Sequence, residues 1–425
     1  MVDIRPFKAI RYTEKAGDLK DLITQPYDKI DQEMQHKYYD KSPYNYCRII
    51  LPIEKNGYIT VQHRIQEWLT KNIIAEDEKP SFFICKQQFK LDGKTYTRTG
   101  LMAALRLYDY NENMVFPHEI TYDAPKADRL NMLRTVQKDL EPIFLLYSDP
   151  EKVTTNLFAE VAKTKPIINV TDSFEVNHKI WKITDTQKTT LLQKALAPKT
   201  VVITDGHHRY ESALSHRDER RQEGVWTEDS AFNFHMSMIV PVQDQGLVVL
   251  PTHRLLKNCK LTNSMLNALK QFFSLTEIEA SVTGLDDFLE MHKNEHAFCI
   301  YDGTKAYGII LKHEQSVYEF VNATSSKETK IFDVVILRDV IFKAILKTGE
   351  LKMDQDIIYV RWTKTAMEKV DKGEASLAFL VNPVTAETVW QLAQQHERLP
   401  EKSTDFYPKM VSGLMMMDIS SKEKL

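Results

Sequence analysis

The stretch Thr200-Val-Val-Ile-Thr-Asp-Gly-His-His-Arg-Tyr-Glu-Ser-Ala-Leu214 constrains the fold more than any other part of the chain. Its apolar start suits a buried strand, Gly206 suits a sharp turn, and the residues from His207 onward read as a helix. A buried strand that hands over to a helix at a glycine belongs to an α/β packing and leaves unpaired backbone N–H groups at the turn. With His207, His208 and Arg209 beside those groups, the place suits an anion, and phosphate fits it well. Two other readings of the same residues stay open: a helix start capped by Asp205, and a zinc site with His and Asp ligands.

A chain of 425 residues is too long for one ordinary core and points to roughly two or three domains. The formal net charge is -3, from 56 basic and 59 acidic residues. Such a balance offers no bulk attraction to DNA or to anionic lipid, so recognition of phosphate has to be local, and a small ligand suits it better than a polymer. The four cysteines, Cys47, Cys85, Cys259 and Cys299, form no C-x-x-C pair and read as reduced core thiols. No apolar signal core opens the sequence and no uncharged run reaches membrane-spanning length, so a cytoplasmic, soluble protein is the expectation.

The period of the apolar residues predicts a helix over 60–73, then two strands over 81–90 and 95–108 joined by a tight hairpin turn at Asp92-Gly93. From 126 onward helices and short apolar runs alternate. Helices are predicted at 126–140, 152–164 and 187–196, and strands at 143–147, 174–183 and 201–203. Further strands are expected at 237–241, 247–250, 297–301, 306–311, 317–321, 357–360 and 377–381, with a new helix starting near 261, a long apolar helix over 331–346 and another helix over 385–396. The fold class read from this order is α/β, in the mixed α+β sense. A polar loop with two prolines, 398–410, follows the last helix and is where a ligand contact would sit.

Four other groups carry chemistry. In Phe116-Pro-His-Glu-Ile-Thr121 a carboxylate follows a histidine, and Glu119 suits a general base if it lies near a nucleophile. Asp28, in the turn Thr24-Gln-Pro-Tyr-Asp28, suits a cap, a base or a magnesium ligand. Thr252-His253-Arg254 and Lys126-Ala-Asp-Arg129 could bring cations to a phosphate. The loop residues Lys402, Ser403, Thr404 and Lys409 could hold a carboxylate or a phosphate. Each of the four has a plain structural counterpart, as a solvated face or an ordinary turn. No P-loop, Rossmann glycine fingerprint, kinase-type H-R-D, nucleophile elbow or H-E-x-x-H pair is present.

Pro117-His-Glu119 and Asp205-Gly-His-His-Arg209, with the terminal Glu401-Lys-Ser-Thr404 loop, resemble the free-serine kinases of the ParB and sulfiredoxin-like superfamily. Over nearly its whole length the chain also resembles a broader, long-uncharacterised bacterial and protist family. The residues that carry this second likeness are Arg5-Pro-Phe7, Gln25-Pro-Tyr-Asp28, Arg98-Thr-Gly100, Lys126-Ala-Asp-Arg129, Leu250-Pro-Thr-His-Arg254 and Tyr407-Pro-Lys409, besides the motifs above. The resemblance implies a ParB-like catalytic core at 116–255, an added amino-terminal α+β region at 1–115, and an α/β carboxy-terminal domain at 256–425. The material between Glu119 and Asp205 is longer here than in the compact archaeal kinases.

What the resemblance implies is phosphoryl transfer to the hydroxyl of free L-serine. Glu119 would be the base, and Asp205, His207 and His208 would complete the catalytic set. His118, Arg209, Thr252, His253, Arg254, Lys402, Ser403, Thr404, Lys409, Asp28 and Arg98 would bind substrate or phosphate. The donor would be pyrophosphate, ADP or ATP, and the lack of an adenine motif favours pyrophosphate. Mg2+ would accompany the donor, with Asp205 as its tentative ligand. Neither nucleic acid nor membrane is expected as a partner. The rival expectations are a phosphoserine phosphatase or transphosphorylase at the same site, a ParB-like binding protein without catalysis, and a zinc hydrolase using His118, His207 or His208.

Overall fold

A computed structural model describes residues 1–119, 123–224, 226–321, 326–349, 351–352, 355–400 and 402–425. The fold is mixed α/β and divides into two units. The first consists of Met1–Pro117, Thr121–Leu247 and Pro408–Leu425, and the second of His118–Ile120 and Val248–Tyr407. Among the described residues no helix is long and apolar enough to cross a membrane.

The first unit is organised by a nine-stranded sheet among the described residues. Its order runs Val115–Pro117, Val201–Asp205, Ile143–Tyr147, Phe234–Pro241, Lys94–Arg106, Phe82–Leu91, Asn177–Ile183 and Ile168–Thr171, with Ile4–Arg5 added on Lys94–Arg106. The hairpin predicted at Asp92-Gly93 is present: both residues have positive φ, 49° and 74°, as a two-residue turn that follows the strand twist requires. Ile143–Tyr147 is buried at every position, which is why it reads as a continuous apolar run rather than an alternating one.

One pairing in this sheet positions the residues of the candidate site. Val201–Asp205 runs parallel to Val115–Pro117, with Ile203 opposite Pro117. Both chains therefore leave the sheet at the same end: one continues into Asp205-Gly206, and the other ends at Pro117. Helix His207–Glu223 follows the turn and packs on helix Asp123–Val136. A second, four-stranded sheet ties the tail to both early and middle segments. Met416–Asp418 pairs with Ala9–Tyr12 on one side and Lys138–Asp139 on the other.

The second unit holds a six-stranded antiparallel sheet, ordered Phe273–Ile278, Ala306–Leu311, Ala297–Tyr301, Leu377–Val381, His253–Leu256, Ile357–Val360. Ile336, Leu337, Val340 and Ile341 pack with Phe298, Ile300 and Phe379 in one core, while Leu285, Ala366 and Val370 pack with Cys299 and Leu380 in another. Val248–Leu250 pairs with Asp405–Tyr407, and this short ribbon anchors the loop that precedes it.

Three sequence expectations are corrected. The segment 317–321 lies within a 3-10 helix, Glu314–Phe320, rather than a strand. The helix expected over 331–346 is instead a short turn, Asp333–Val335, followed by a π-helix, Ile336–Ile345. The helix expected to run to 140 ends at Val136, and Lys138–Asp139 is a strand.

Candidate functional site

In the first unit the chemistry gathers at the carboxy end of Val201–Asp205. Gly206 adopts φ 92°, the left-handed conformation that glycine takes without steric cost. A Cβ there would come within 2.9 Å of Ile143 Cγ2 and 3.0 Å of Arg209 Nη2, so the tight approach also calls for glycine. As the cap, a glycine brings no side-chain oxygen to the first-turn N–H groups. Asp205 is accordingly the last residue of the strand rather than the helix cap.

Asp205 is held by two cations. Its Oδ1 accepts from Lys409 Nζ at 2.6 Å and its Oδ2 from Arg209 Nη2 at 2.8 Å. Burial by itself pushes this carboxyl up, but the charges of Lys409 and Arg209 prevail and hold it well below the usual carboxylate range. Burial disfavours the Arg209 guanidinium, yet Asp205, Glu141 and Asp28 raise its pKa overall, and Arg209 also donates to the Pro142 carbonyl. His207 is buried and His208 partly so, both in the first turn of the helix.

Arg98 has a different surrounding from the ligand contact expected of it. It is fully buried, donates from Nη2 to Gln87 Oε1 and the Pro408 carbonyl at 2.5 Å each, and lies over the Phe144 ring. Burial lowers its pKa to about 10. It braces the backbone next to Lys409, whose own carbonyl accepts from Gln87 Nε2 at 3.3 Å. Asp28 is exposed on a short 3-10 turn, Tyr27–Lys29. Lys126 pairs with Glu211 at 3.2 Å.

In the second unit the structure brings His118, Glu119 and Thr404 together. The Thr404 hydroxyl donates to Glu119 Oε1 at 3.2 Å and lies 2.8 Å from His118 Nε2. A hydroxyl has one proton, so this arrangement makes His118 Nε2 the donor to Thr404. Glu119 is fixed by its bridge to Leu399, whose N–H donates to the His118 carbonyl at 2.7 Å. The His118 ring meets Phe406 edge to face.

Thr252, His253 and Arg254 are all buried and brace this loop from within. Arg254 donates from Nη1 to the Thr252 carbonyl at 2.7 Å and from Nη2 to the Lys402 carbonyl at 3.3 Å. Burial lowers its pKa to about 10. His253 Nδ1 accepts from the Val381 N–H at 3.3 Å, and burial lowers that imidazole to about 3. Lys402 has a positive φ of 58°, and the Ser403 hydroxyl donates to the Pro400 carbonyl. Ile120 and Thr121 of the Pro-His-Glu segment, and Glu401 of the loop, lie outside the described residues.

Sequence reasoning missed Asp139, Glu141 and His235. All three are buried in the first unit, and together with Arg129, Lys138 and Arg209 they line one pocket. Their only signal in the sequence is the charged Lys138-Asp-Leu-Glu141 placed between a helix and a fully apolar strand.

Residues 4–335 match the family described as "Protein of unknown function (DUF1015)". No curated protein matches the chain. Among solved structures, a conserved hypothetical protein from Pyrococcus furiosus is 15% identical, with 76% of this chain and 97% of that one covered and a TM-score of 0.35. A free serine kinase in complex with AMP is 15% identical, with 76% and 93% covered and a TM-score of 0.37. SbnI from Staphylococcus aureus, truncated at its C terminus, is 8% identical, with 75% and 87% covered and a TM-score of 0.33. Likeness at this level carries no conclusion about what the present chain does.

Proposed function

The chain belongs to the DUF1015 family of proteins of unknown function, and from that premise we propose a phosphotransferase that phosphorylates the hydroxyl of free L-serine. The observation that carries the proposal is the contact between Glu119 and an aliphatic hydroxyl. Glu119 Oε1 already accepts a hydrogen bond from Thr404, which is the relation a general base needs to the hydroxyl it deprotonates. The motif likeness of Pro117-His-Glu119 and Asp205-Gly-His-His-Arg209 to free-serine kinases supports the same reading.

The substrate oxygen would give its proton to Glu119 as it approaches phosphorus in line, while the bond from that phosphorus to the bridging oxygen of the donor breaks and the rest of the donor, phosphate in the case of pyrophosphate, leaves. Negative charge on the transferring group would meet the helix start after Gly206, with His207, His208, Arg209 and Lys409. This chemistry requires the two sets of groups to serve one substrate.

Magnesium enters as the companion of the donor phosphate. Asp205, its tentative ligand, has one oxygen on Lys409 and the other on Arg209, so it does not suit an additional resident ion. Among the described residues no group of three or more His, Cys, Asp or Glu side chains gathers as a metal site. Pyrophosphate is the proposed donor, with ADP and ATP as the alternatives.

The test is to incubate the purified full chain with L-serine and Mg2+ and, separately, pyrophosphate, ADP and ATP, and to detect phosphoserine. Product with one donor supports the proposal and identifies the donor. Phosphoserine hydrolysed in water, with no product in the forward assays, would assign a phosphatase instead.

A further inference from the structure

Asp205 ends its strand immediately before the Gly206 turn, so its negative charge stands beside the helix start where an anion would settle. An incoming phosphate is repelled by that charge unless cations offset it. Arg209 is placed to do so by its position in the first turn of the same helix. Lys409 is not local: it belongs to the returning segment Pro408–Leu425, and its ammonium meets Asp205 Oδ1 at 2.6 Å. The reach of that flexible side chain depends on where the backbone at 408–409 is held.

Gln87 is at the centre of what holds it. The residue lies in strand Phe82–Leu91, directly opposite Arg98 in one antiparallel neighbour and directly opposite His178 in the other. Residues paired across strands share a face of the sheet, so these three make a polar row. All are buried, with exposures of 2% for His178, 1% for Gln87 and 0% for Arg98. The Gln87 oxygen accepts from Arg98 Nε at 3.1 Å and Nη2 at 2.5 Å, and the same Nη2 donates to the Pro408 carbonyl at 2.5 Å. The Gln87 amide N–H donates in turn to the Lys409 carbonyl at 3.3 Å. Two successive carbonyls of the returning segment are thereby gripped by one amide and one guanidinium. Arg98 also lies over the ring of Phe144, the residue paired with Asp205, so the grip and the carboxylate are both referred to strand Ile143–Tyr147.

The chemistry at position 87 has to be that of an amide. A carboxylate would balance a buried arginine more directly, but it has no N–H for the Lys409 carbonyl and would set an acceptor against an acceptor. Glutamine supplies an acceptor to Arg98 and a donor to Lys409 at once.

We infer that Gln87 is a positioning residue for phosphate binding at the Gly206 turn, acting through Lys409. It holds the returning segment so that the Lys409 ammonium offsets Asp205 and the helix start stays receptive to an anion. The inference rests on the reading of that turn as a phosphate site and adds to it a residue set behind the site.

The test is a double-variant cycle, read by calorimetric titration of the full chain with pyrophosphate and with inorganic phosphate. Lys409→Met is expected to weaken pyrophosphate about tenfold, and Gln87→Met, which removes the hydrogen bonds to Arg98 and Lys409 at similar volume, about fivefold. Because Gln87 acts through Lys409, the double variant should bind within about twofold of Lys409→Met alone. A merely structural loss at position 87 would instead add to the loss at 409. Additive effects, or undiminished affinity in Gln87→Met, would overturn the inference and leave the phosphate site standing. No binding of either anion by the unaltered chain would overturn both. Should Gln87→Met fail to unfold cooperatively, Gln87→Glu, which keeps the acceptor for Arg98 and loses the donor to Lys409, carries the same cycle. In turnover assays Gln87→Met should raise the KM of the donor and leave that of L-serine unchanged, and an unchanged donor KM would overturn the inference. Non-additive binding without any phosphoserine would support the role of Gln87 and end the transferase.

Discussion

Asp205 bonds two buried cations, and its removal would take that carboxylate from both Arg209 and Lys409. Asp205→Asn is therefore expected to cost about 3–5 kcal/mol of unfolding free energy, measured by urea denaturation at neutral pH. The pH dependence has a definite sign. A carboxyl whose folded pKa is depressed contributes stability that is present above its unfolded value and lost as pH falls through the folded one. Asp139 behaves oppositely: its pKa is raised to about 8 by burial, so its contribution is full below the ordinary carboxylate range and fades as pH rises through about 8. Asp139→Asn should flatten the decline in stability between pH 5 and pH 8, followed by denaturant unfolding at both. For catalysis, Glu119→Gln should lower kcat by about 10²–10⁴-fold with little change in KM or folding, since a general base acts in the transition state. Near-normal turnover by that variant would remove Glu119 from the base role. At this scale the candidate residues could be singled out in the sequence, because Asp-Gly-His-His-Arg and Pro-His-Glu are unusual strings. Their partners could not: Lys409 is 204 positions from Asp205, and no local pattern encodes such a pairing.

At the scale of elements, the Asp92-Gly93 hairpin and the strands at 143–147, 297–301, 306–311, 357–360 and 377–381 were read correctly, several of them as short continuous apolar runs. One failure came in a long apolar segment, where residue pattern does not separate one helix type from another. The π-helix Ile336–Ile345 buries Ile336, Leu337, Val340, Ile341 and Phe342, a pattern that reads equally as an ordinary helix. Ile168–Thr171 was missed because it is short and mostly exposed at the sheet edge. The turn at Gly206 offers a prediction of its own. Gly206→Ala should destabilise the protein by about 1–2 kcal/mol from the left-handed backbone alone, and more once the new methyl crowds Ile143 and Arg209. Chemical denaturation would measure the loss, and weaker phosphate binding by the folded variant would report the shifted guanidinium.

Over the whole molecule, the even charge balance supports a prediction about partners. A chain with net charge -3 should show no salt-sensitive retardation of DNA in a gel-shift assay at physiological ionic strength, and a tight, salt-dependent shift would revive a nucleic-acid role. The first unit is assembled from three separate stretches, with Pro408–Leu425 returning to it after the second unit is complete. That return supplies Lys409 to Asp205 and Ser412 to Glu141. The sequence by itself determined the α/β class and the main strands, because these depend on local apolar patterning, turn chemistry and residue type. Only the tertiary structure decided that Arg98 is a buried brace, that Thr404 bonds to Glu119, and that Glu141 and His235 share a pocket. Those outcomes depend on which distant segments come to lie side by side, and burial then sets which polar atoms find partners.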